Sequence, residues 1–273
     1  MFEVNLSVII VEYFSQSEVL ECMQSIRKFI GDLNYEIFVV SNSEYEPDRL
    51  GDFKERLKGV QVIINPKNKG YAGGVNAALP HTKAPYVLIL NPDARLTEDG
   101  MASTIEYMNG HPEVGLLGPK VIDYSGAAQD VCRHFPRPYT FFLVRSAIGR
   151  WLPGSAKERR RYLMEDFAHD EIKDVDWIIG GAMLVRKKAV DDVGPMDERY
   201  FLYMEDVDWC RRLWEKGWRV QYFPMTRIIH EIKHESLKSG LIPMVSRHTS
   251  FHVRSLLKYF AKYGIALPSN DQR

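Results

Sequence analysis

The sequence predicts an α/β fold built on a largely parallel sheet. Three observations carry that reading: short apolar runs alternate with helical patterns from residue 4 to residue 121, the connections suit crossover helices, and one buried run stops at a proline followed by an acid. The strands are Val4–Val11, Glu36–Val40, Val60–Ile64, Tyr86–Leu90 and Val114–Val121, and the intervening helices lie near Glu18–Ile30, Asp48–Leu57, Gly74–Leu79 and Glu98–Asn109. This is the layout of a nucleotide-binding sheet. From Asp123 to about Asp170 the periodicity fails, and the mixture of Arg, Pro, Gly and aromatic residues predicts a long functional loop. Order returns in Val175–Val185, read as one strand with Gly180 and Gly181 in its middle, where a bulge or a close ligand approach is the usual cause. A helix Glu205–Lys216, a strand Arg219–Phe223 and a C-terminal helix from about Met244 to Tyr263 complete the chain.

Composition narrows the function classes. With 273 residues, 45% of them hydrophobic, the chain can bury a full core. Lys plus Arg equals Asp plus Glu at 36 each, so no global field favours nucleic acid. The three cysteines, Cys22, Cys132 and Cys210, form neither a disulfide framework nor a zinc pattern, which fits a reducing, cytoplasmic setting. No segment has the roughly 18 to 20 apolar residues of a membrane span. Arg137, Arg145, Arg150, Lys157 and Arg159 to Arg161 stand among Tyr139, Phe141, Phe142, Leu143, Trp151 and Leu152, a mixture suited to peripheral contact with the inner face of a membrane; a solvated loop is the favoured alternative.

Three places carry candidate chemistry. Tyr200 to Asp208 sets three carboxylates behind an aromatic run at a helix start: Glu205 and Asp206 suit capping, and the apolar company of Tyr203 and Met204 also suits a raised-pKa general base, while Asp208 is placed to pair with Arg211 or Arg212. Asp93 follows Asn91 and Pro92 at the end of a buried strand, where open sheets place ligands; it suits a divalent cation or an Asx-type turn. The segment Asn65 to Asn76, with Lys67, Lys69 and three glycines, opens a helix and would aim free N–H groups at an anion, with the Asn68 and Asn76 amides on ribose or sugar hydroxyls. His230 lies just beyond the last strand within reach of the same edge, as a metal ligand or as a structural histidine, and His234 and Ser236 follow it in a loop that suits either a diphosphate or plain surface. An imidazole ligand would favour Mn²⁺ over Mg²⁺.

These segments together resemble family 2 glycosyltransferases, in the rhamnosyltransferase-like branch. The resemblance rests on Asn68-Lys-Gly-Tyr-Ala-Gly-Gly-Val-Asn-Ala-Ala78, Leu90-Asn-Pro-Asp-Ala94, Trp177-Ile-Ile-Gly-Gly-Ala182, Gly194 to Asp208 and His230, in that order, and covers about residues 4 to 260. It implies a GT-A fold: a Rossmann-like nucleotide-binding half (1–122) and an acceptor-binding, catalytic half (123–240) around one mixed, mainly parallel sheet, with a C-terminal helical extension (241–273).

It also implies inverting transfer of a sugar, rhamnose being the first candidate, from a nucleotide-diphosphate donor to a hydroxyl of a glycan or lipid-linked acceptor, with Mn²⁺ or Mg²⁺. Carried over, Asp206 resembles the base and Glu205 its acidic partner, and Asp93 and His230 resemble the metal residues, with Asn91 in the first position of the Asp93 motif. Tyr13, Ser41, Asn42, Asn68, Gly70 and Asn76 fall in the donor-contacting segments, while Trp177, Gly180 and Gly181 wall the sugar. Two departures stand out: Ser41 replaces the Asp that reads the base, and Phe14 replaces an Asn. On those two residues rests the alternative, a nucleotide-sugar or glycan-binding module without turnover.

Overall fold

The computed structural model describes residues 4–98, 100–145, 149–230 and 247–265. Strand β1 (Leu6–Glu12) is buried at all seven positions because it lies inside the sheet with helices over both faces. Its odd and even residues feed different cores: Ile9 and Val11 face one, Leu6, Val8 and Ile10 the other. Parallel to β1 run β2 (Tyr35–Ser41) on one side and β4 (Tyr86–Leu90) on the other, with β3 (Gln61–Ile64) beyond β2. The chain reverses its build direction between β1 and β4, which opens a crevice at the carboxyl ends of those strands.

Beyond β4 the sheet becomes mixed. β10 (Ala182–Arg186) pairs antiparallel with both β4 and β6 (Val114–Ile122), and β11 (Arg219–Ile229) then runs parallel to β6. The short strands β5 (Arg95–Leu96) and β8 (Lys173–Asp174) both pair with β11. Crossover helices α1 (Gln16–Phe29), α2 (Pro47–Arg56), α3 (Gly70–Ala78) and α4 (Met101–Gly110) occupy the predicted intervals. Helix α3 starts four residues earlier than its apolar pattern suggests, because Asn68 Oδ1 accepts the Gly70 N–H at 2.8 Å and sets the first turn.

Two expectations need correction. The interval 123–170 is structured: it contains β7 (Cys132–Arg133), α5 (Thr140–Arg145), a 3-10 turn Gly149–Trp151 and α6 (Ser155–Leu163). A buried Glu158 explains its order, accepting from Thr140 Oγ1, Arg161 Nη2 (2.7 Å) and Arg137 Nη1 (3.5 Å), a polar network with no apolar periodicity to announce it. The run Val175–Val185 is two strands, β9 (Trp177–Ile178) and β10, because Ile179 to Gly181 leave the ladder; β9 pairs with β7 in a separate ribbon.

Helices α7 (Lys187–Val193), α8 (Glu205–Glu215) and α9 (Arg247–Tyr263) cover the core that Ile9 and Val11 face. Asp208, fully buried, ties α9 to α8: it accepts from Arg212 Nε (2.8 Å), Lys262 Nζ (2.5 Å) and the Tyr263 hydroxyl (2.8 Å). The intrahelical pair expected with Arg212 is present, and α9 docks through the same carboxylate. The boundary at 240, the helix start at Met244, His234 and Ser236 lie outside the described residues.

Candidate active site

Helix α8 is entered through two consecutive left-handed residues, Tyr203 (φ 67°) and Met204 (φ 71°). Such backbone costs about 1–3 kcal/mol per non-glycine residue and persists only where packing over-determines it. Here two helices do so. From α9, Ser255 Oγ donates to Leu202 O at 2.9 Å, His252 stacks on Tyr203 at 4.7 Å, and Phe251 packs on Phe201 at 5.0 Å. From α3, the Tyr71 N–H donates to Phe201 O at 3.0 Å. A Cβ on Gly70, itself at φ +73°, would lie 2.0 Å from that carbonyl oxygen, so the glycine is required by the approach of the loop.

The strained entry fixes Asp206. Its Oδ2 accepts the Gly180 N–H at 3.0 Å and its Oδ1 the Val207 N–H at 2.8 Å. Burial pushes its pKa up to about 6, with those N–H groups restraining the rise. Glu205 is raised well above the carboxylate range, first by burial and then by the charge of Asp206, and its Oε2 has no hydrogen-bond partner among the described residues. Near neutral pH the pair therefore keeps one proton, on Glu205, and Asp206 is the ionised member. The Tyr71 hydroxyl donates to Gly180 O, and burial plus both carboxylates hold Tyr71 well above the usual phenol range, so it remains a neutral donor.

The second cluster lies at the carboxyl end of β4. Asp93 Oδ1 and His230 Nε2 are 3.1 Å apart, and Asn91 Nδ2 is 3.4 Å from the same ring nitrogen. The Asn91 N–H donates to Gly181 O at 2.9 Å. A Cβ on Gly181 would stand 2.6 Å from His230 Cε1, so this glycine is the space the imidazole occupies. Gly180 thus touches Asp206 while the next residue, Gly181, touches His230. The bulge between β9 and β10 joins the two clusters directly, and the close approach that its glycines allow is by the chain's own side chains.

Comparison with known proteins settles the family. The model of glycosyl transferase family 2 matches residues 7–194, about two thirds of the chain, from β1 to the end of α7. The chain belongs to glycosyl transferase family 2. Among its relatives, an N-acetylglucosaminyl-diphospho-decaprenol L-rhamnosyltransferase of Mycobacterium tuberculosis is 27% identical over 214 residues, covering 73% of this chain and 67% of that protein. Rhamnosyltransferase WbbL of Escherichia coli is 27% identical over 264 residues, covering 91% and 92%. Among solved structures, a Pyrobaculum calidifontis mannosyltransferase in complex with GDP-Man and Mn²⁺ superposes with TM-score 0.55 at 15% identity, over 87% of this chain and 59% of that one. TarS of S. aureus gives TM-score 0.56 at 15% identity, over 84% of this chain and 37% of that one. The shared architecture is the GT-A fold, and the matched region is a fraction of each of those two structures.

In this family 2 chain the crevice side differs from expectation at several residues. Ser41 is buried and gives its hydroxyl to Glu12, so it faces the protein rather than a base edge. Asn42 is likewise consumed: its Nδ2 donates to Gly70 O at 2.9 Å and its Oδ1 accepts from Asn65 Nδ2 at 2.8 Å. The Asn76 amide holds both the N–H (2.9 Å) and the O (2.8 Å) of Met196, clamping α3 to the turn before Tyr200. Trp177 is buried and donates to His134 O at 3.0 Å, so its ring belongs to the core instead of an open wall. The α3 amides expected to face an anion are taken by Asn68 and Phe201. Tyr13 stays open, 57% exposed, with Phe14 beside it at 4.7 Å.

Two residues of the site escaped the sequence reading, Glu12 and Tyr71. Glu12 is fully buried at the carboxyl end of β1, accepting from Ser41, from Ser43 Oγ (3.2 Å), from the Tyr45 hydroxyl (3.0 Å) and from the Ser15 N–H (3.2 Å). A charge closing an otherwise apolar strand was its visible mark. Phe14 follows it at φ +53°, an unusual backbone for an aromatic residue, with its N–H on Ser43 Oγ at 2.6 Å.

Proposed function

We propose that this chain is a metal-dependent inverting glycosyltransferase that moves a sugar, rhamnose first among candidates, from a nucleotide-diphosphate donor to a hydroxyl of a glycan or lipid-linked acceptor in cell-surface glycan synthesis. The observation that carries the reading is the pair of consecutive glycines that holds the buried carboxylate Asp206 on one side and the Asp93–His230 pair on the other. Asp206, ionised and oriented by the Gly180 and Val207 N–H groups, takes the acceptor proton as the hydroxyl attacks, a contribution of about 10²- to 10⁴-fold. Neutral Glu205, with an unsatisfied oxygen, orients the acceptor or the base.

Asp93 and His230 fit a divalent cation, with Asn91 beside them: one carboxylate and one imidazole 3.1 Å apart leave the remaining positions to water and diphosphate oxygens. Such an ion supplies neutralisation of the charge that grows on the departing diphosphate. The mannosyltransferase bound to GDP-Man and Mn²⁺ supports this choice by fold. Tyr13 and Phe14 offer the base a stacking shelf, and Glu12, fully buried at the end of β1, fixes that rim by holding Ser41, Ser43 and Tyr45. The names of both rhamnosyltransferase relatives support the sugar, and that of the Mycobacterium tuberculosis relative supports the lipid-linked class of acceptor and, with it, a working position at the inner face of a membrane.

The test is transfer from deoxythymidine diphosphate rhamnose to a synthetic lipid-linked acceptor with Mn²⁺ or Mg²⁺. Product of inverted configuration, lost in excess chelator and restored by the ion, is expected. Donor binding by calorimetry without transfer or donor hydrolysis would instead favour the binding-module alternative. Full activity in chelator would remove Asp93 and His230 from their roles.

A further inference from the structure

We propose that the hairpin of α5, the Gly149–Trp151 turn and α6 is a docking surface for an anionic phospholipid bilayer. Its turn is apolar and open, with Trp151 91% and Leu152 41% exposed, and α5 adds Tyr139 just before it and Phe142 within it, 47% exposed each. An indole needs both apolar contact and a partner for its N–H, and the boundary between headgroups and acyl chains supplies both. The surrounding charge has one dominant sign. Among the described side chains of this region Arg137, Lys157, Arg159, Arg160 and Arg161 stand against Glu158, Glu165 and Asp166, in a chain balanced overall. Arg159 reaches Glu165 at 3.0 Å and Arg160 reaches Asp166 at 3.7 Å, but these exposed pairs are weak and let the cations turn to headgroup phosphates.

The tip is also firmly mounted. Buried Glu158 gathers Thr140, Arg137 and Arg161, so α5 and α6 present their exposed residues from one braced unit. Phe141, next to exposed Phe142, packs edge-on against His252 of α9 at 4.6 Å, and His252 stacks on Tyr203, two residues before Glu205. Helix α9, which meets α5 through His252, exposes Val253 and Leu257 one turn apart. A bilayer held on this face would be linked to the entry of α8 through Phe141, His252 and Tyr203. The use of that link rests on the proposed lipid-linked acceptor, while the binding itself does not.

The experiment is co-sedimentation of the full chain with phosphatidylglycerol–phosphatidylcholine vesicles and with pure phosphatidylcholine vesicles. Salt-sensitive binding to the anionic vesicles alone is expected. The double variant Trp151→Ser, Leu152→Ser should lower the partition about tenfold, and Lys157→Gln with Arg160→Gln about fivefold per charge. Brominated lipid should quench tryptophan fluorescence in the native chain and not in Trp151→Ser, since Trp177, Trp209 and Trp214 are buried and Trp218 is half-buried. All substituted side chains are exposed, so unchanged thermal unfolding is the folding control. Equal binding to both vesicle types, or native-level binding by the tryptophan variant, would overturn the proposal. So would a concentration-dependent dimer that the same variant dissolves, which would make the face a self-association surface. The vesicles contain neither donor nor acceptor, so a failed transfer assay leaves this result readable.

Discussion

Replacing Asp206 by Asn tests the chemistry and the electrostatics of the site in one protein. In the native chain, burial moves this carboxyl from 3.8 to about 6, so the folded state holds a proton that the unfolded chain has released between those values. Stability from this group is full below pH 3.8 and is lost as pH rises through about 6. At about 1.4 kcal/mol per pH unit, the gap between the two values amounts to about 3 kcal/mol lost by pH 8. The amide that Asp206→Asn installs does not titrate, so the stability of the variant relative to the native chain should improve by about that amount between pH 4 and pH 8. Relief of Glu205, which Asp206 pushes up, adds in the same direction.

The absolute level is a separate matter, because an amide has one acceptor for the two N–H groups of Gly180 and Val207, and the orphaned donor costs about 1–3 kcal/mol. The variant should therefore be less stable at pH 4 and close to native at pH 8. Melting temperatures across that range should show the difference closing by about 6 °C or more. Transfer at saturating donor should fall about 10²- to 10⁴-fold while donor affinity stays within about twofold. The native rate should rise with pH through an apparent value near 6 that belongs to the Glu205–Asp206 pair. Parallel melting curves would refute the raised carboxyl, and transfer within about tenfold of native would refute the base.

Three further outcomes follow from single contacts. Gly181→Ala sets a methyl 2.6 Å from His230 Cε1, so the ring must leave Asp93, and titration with Mn²⁺ should show activation weakened by about tenfold or more. Glu12→Gln removes the charge and one of the two acceptor oxygens that hold Ser41, Ser43, Tyr45 and the Ser15 N–H, and should raise the donor KM about tenfold with kcat little changed; an equal fall in kcat would place Glu12 elsewhere in the reaction. Asp208→Ala leaves Arg212, Lys262 and Tyr263 without their common acceptor, and urea unfolding should register a loss of about 3–5 kcal/mol.

The strands and crossover helices of the first half were legible because each buried strand is a continuous apolar run and each crossover helix keeps its own period, signals that need no tertiary context. Asp93 was legible for a related reason, since Pro92 ends the ladder and throws the next residue onto the sheet edge. The interval 123–170 was not, because Glu158 and its partners hold it through hydrogen bonds between residues distant in sequence. Ser41 misled for a local reason: a serine at a strand end looks available until the neighbouring strand supplies Glu12 in register with it.

The sequence by itself determined the α/β class, the edge on which Asp93 and His230 stand, and the turn that carries Glu205, Asp206 and Asp208, because these depend on local periodicity and on where strands stop. Only the tertiary structure decided how three adjacent carboxylates differ. Asp208 meets two cations and a hydroxyl, Asp206 meets two backbone N–H groups, and Glu205 meets burial and a like charge. Their side chains are chemically alike, and what separates them is the partner that α9, the Gly180 bulge or the core brings to each.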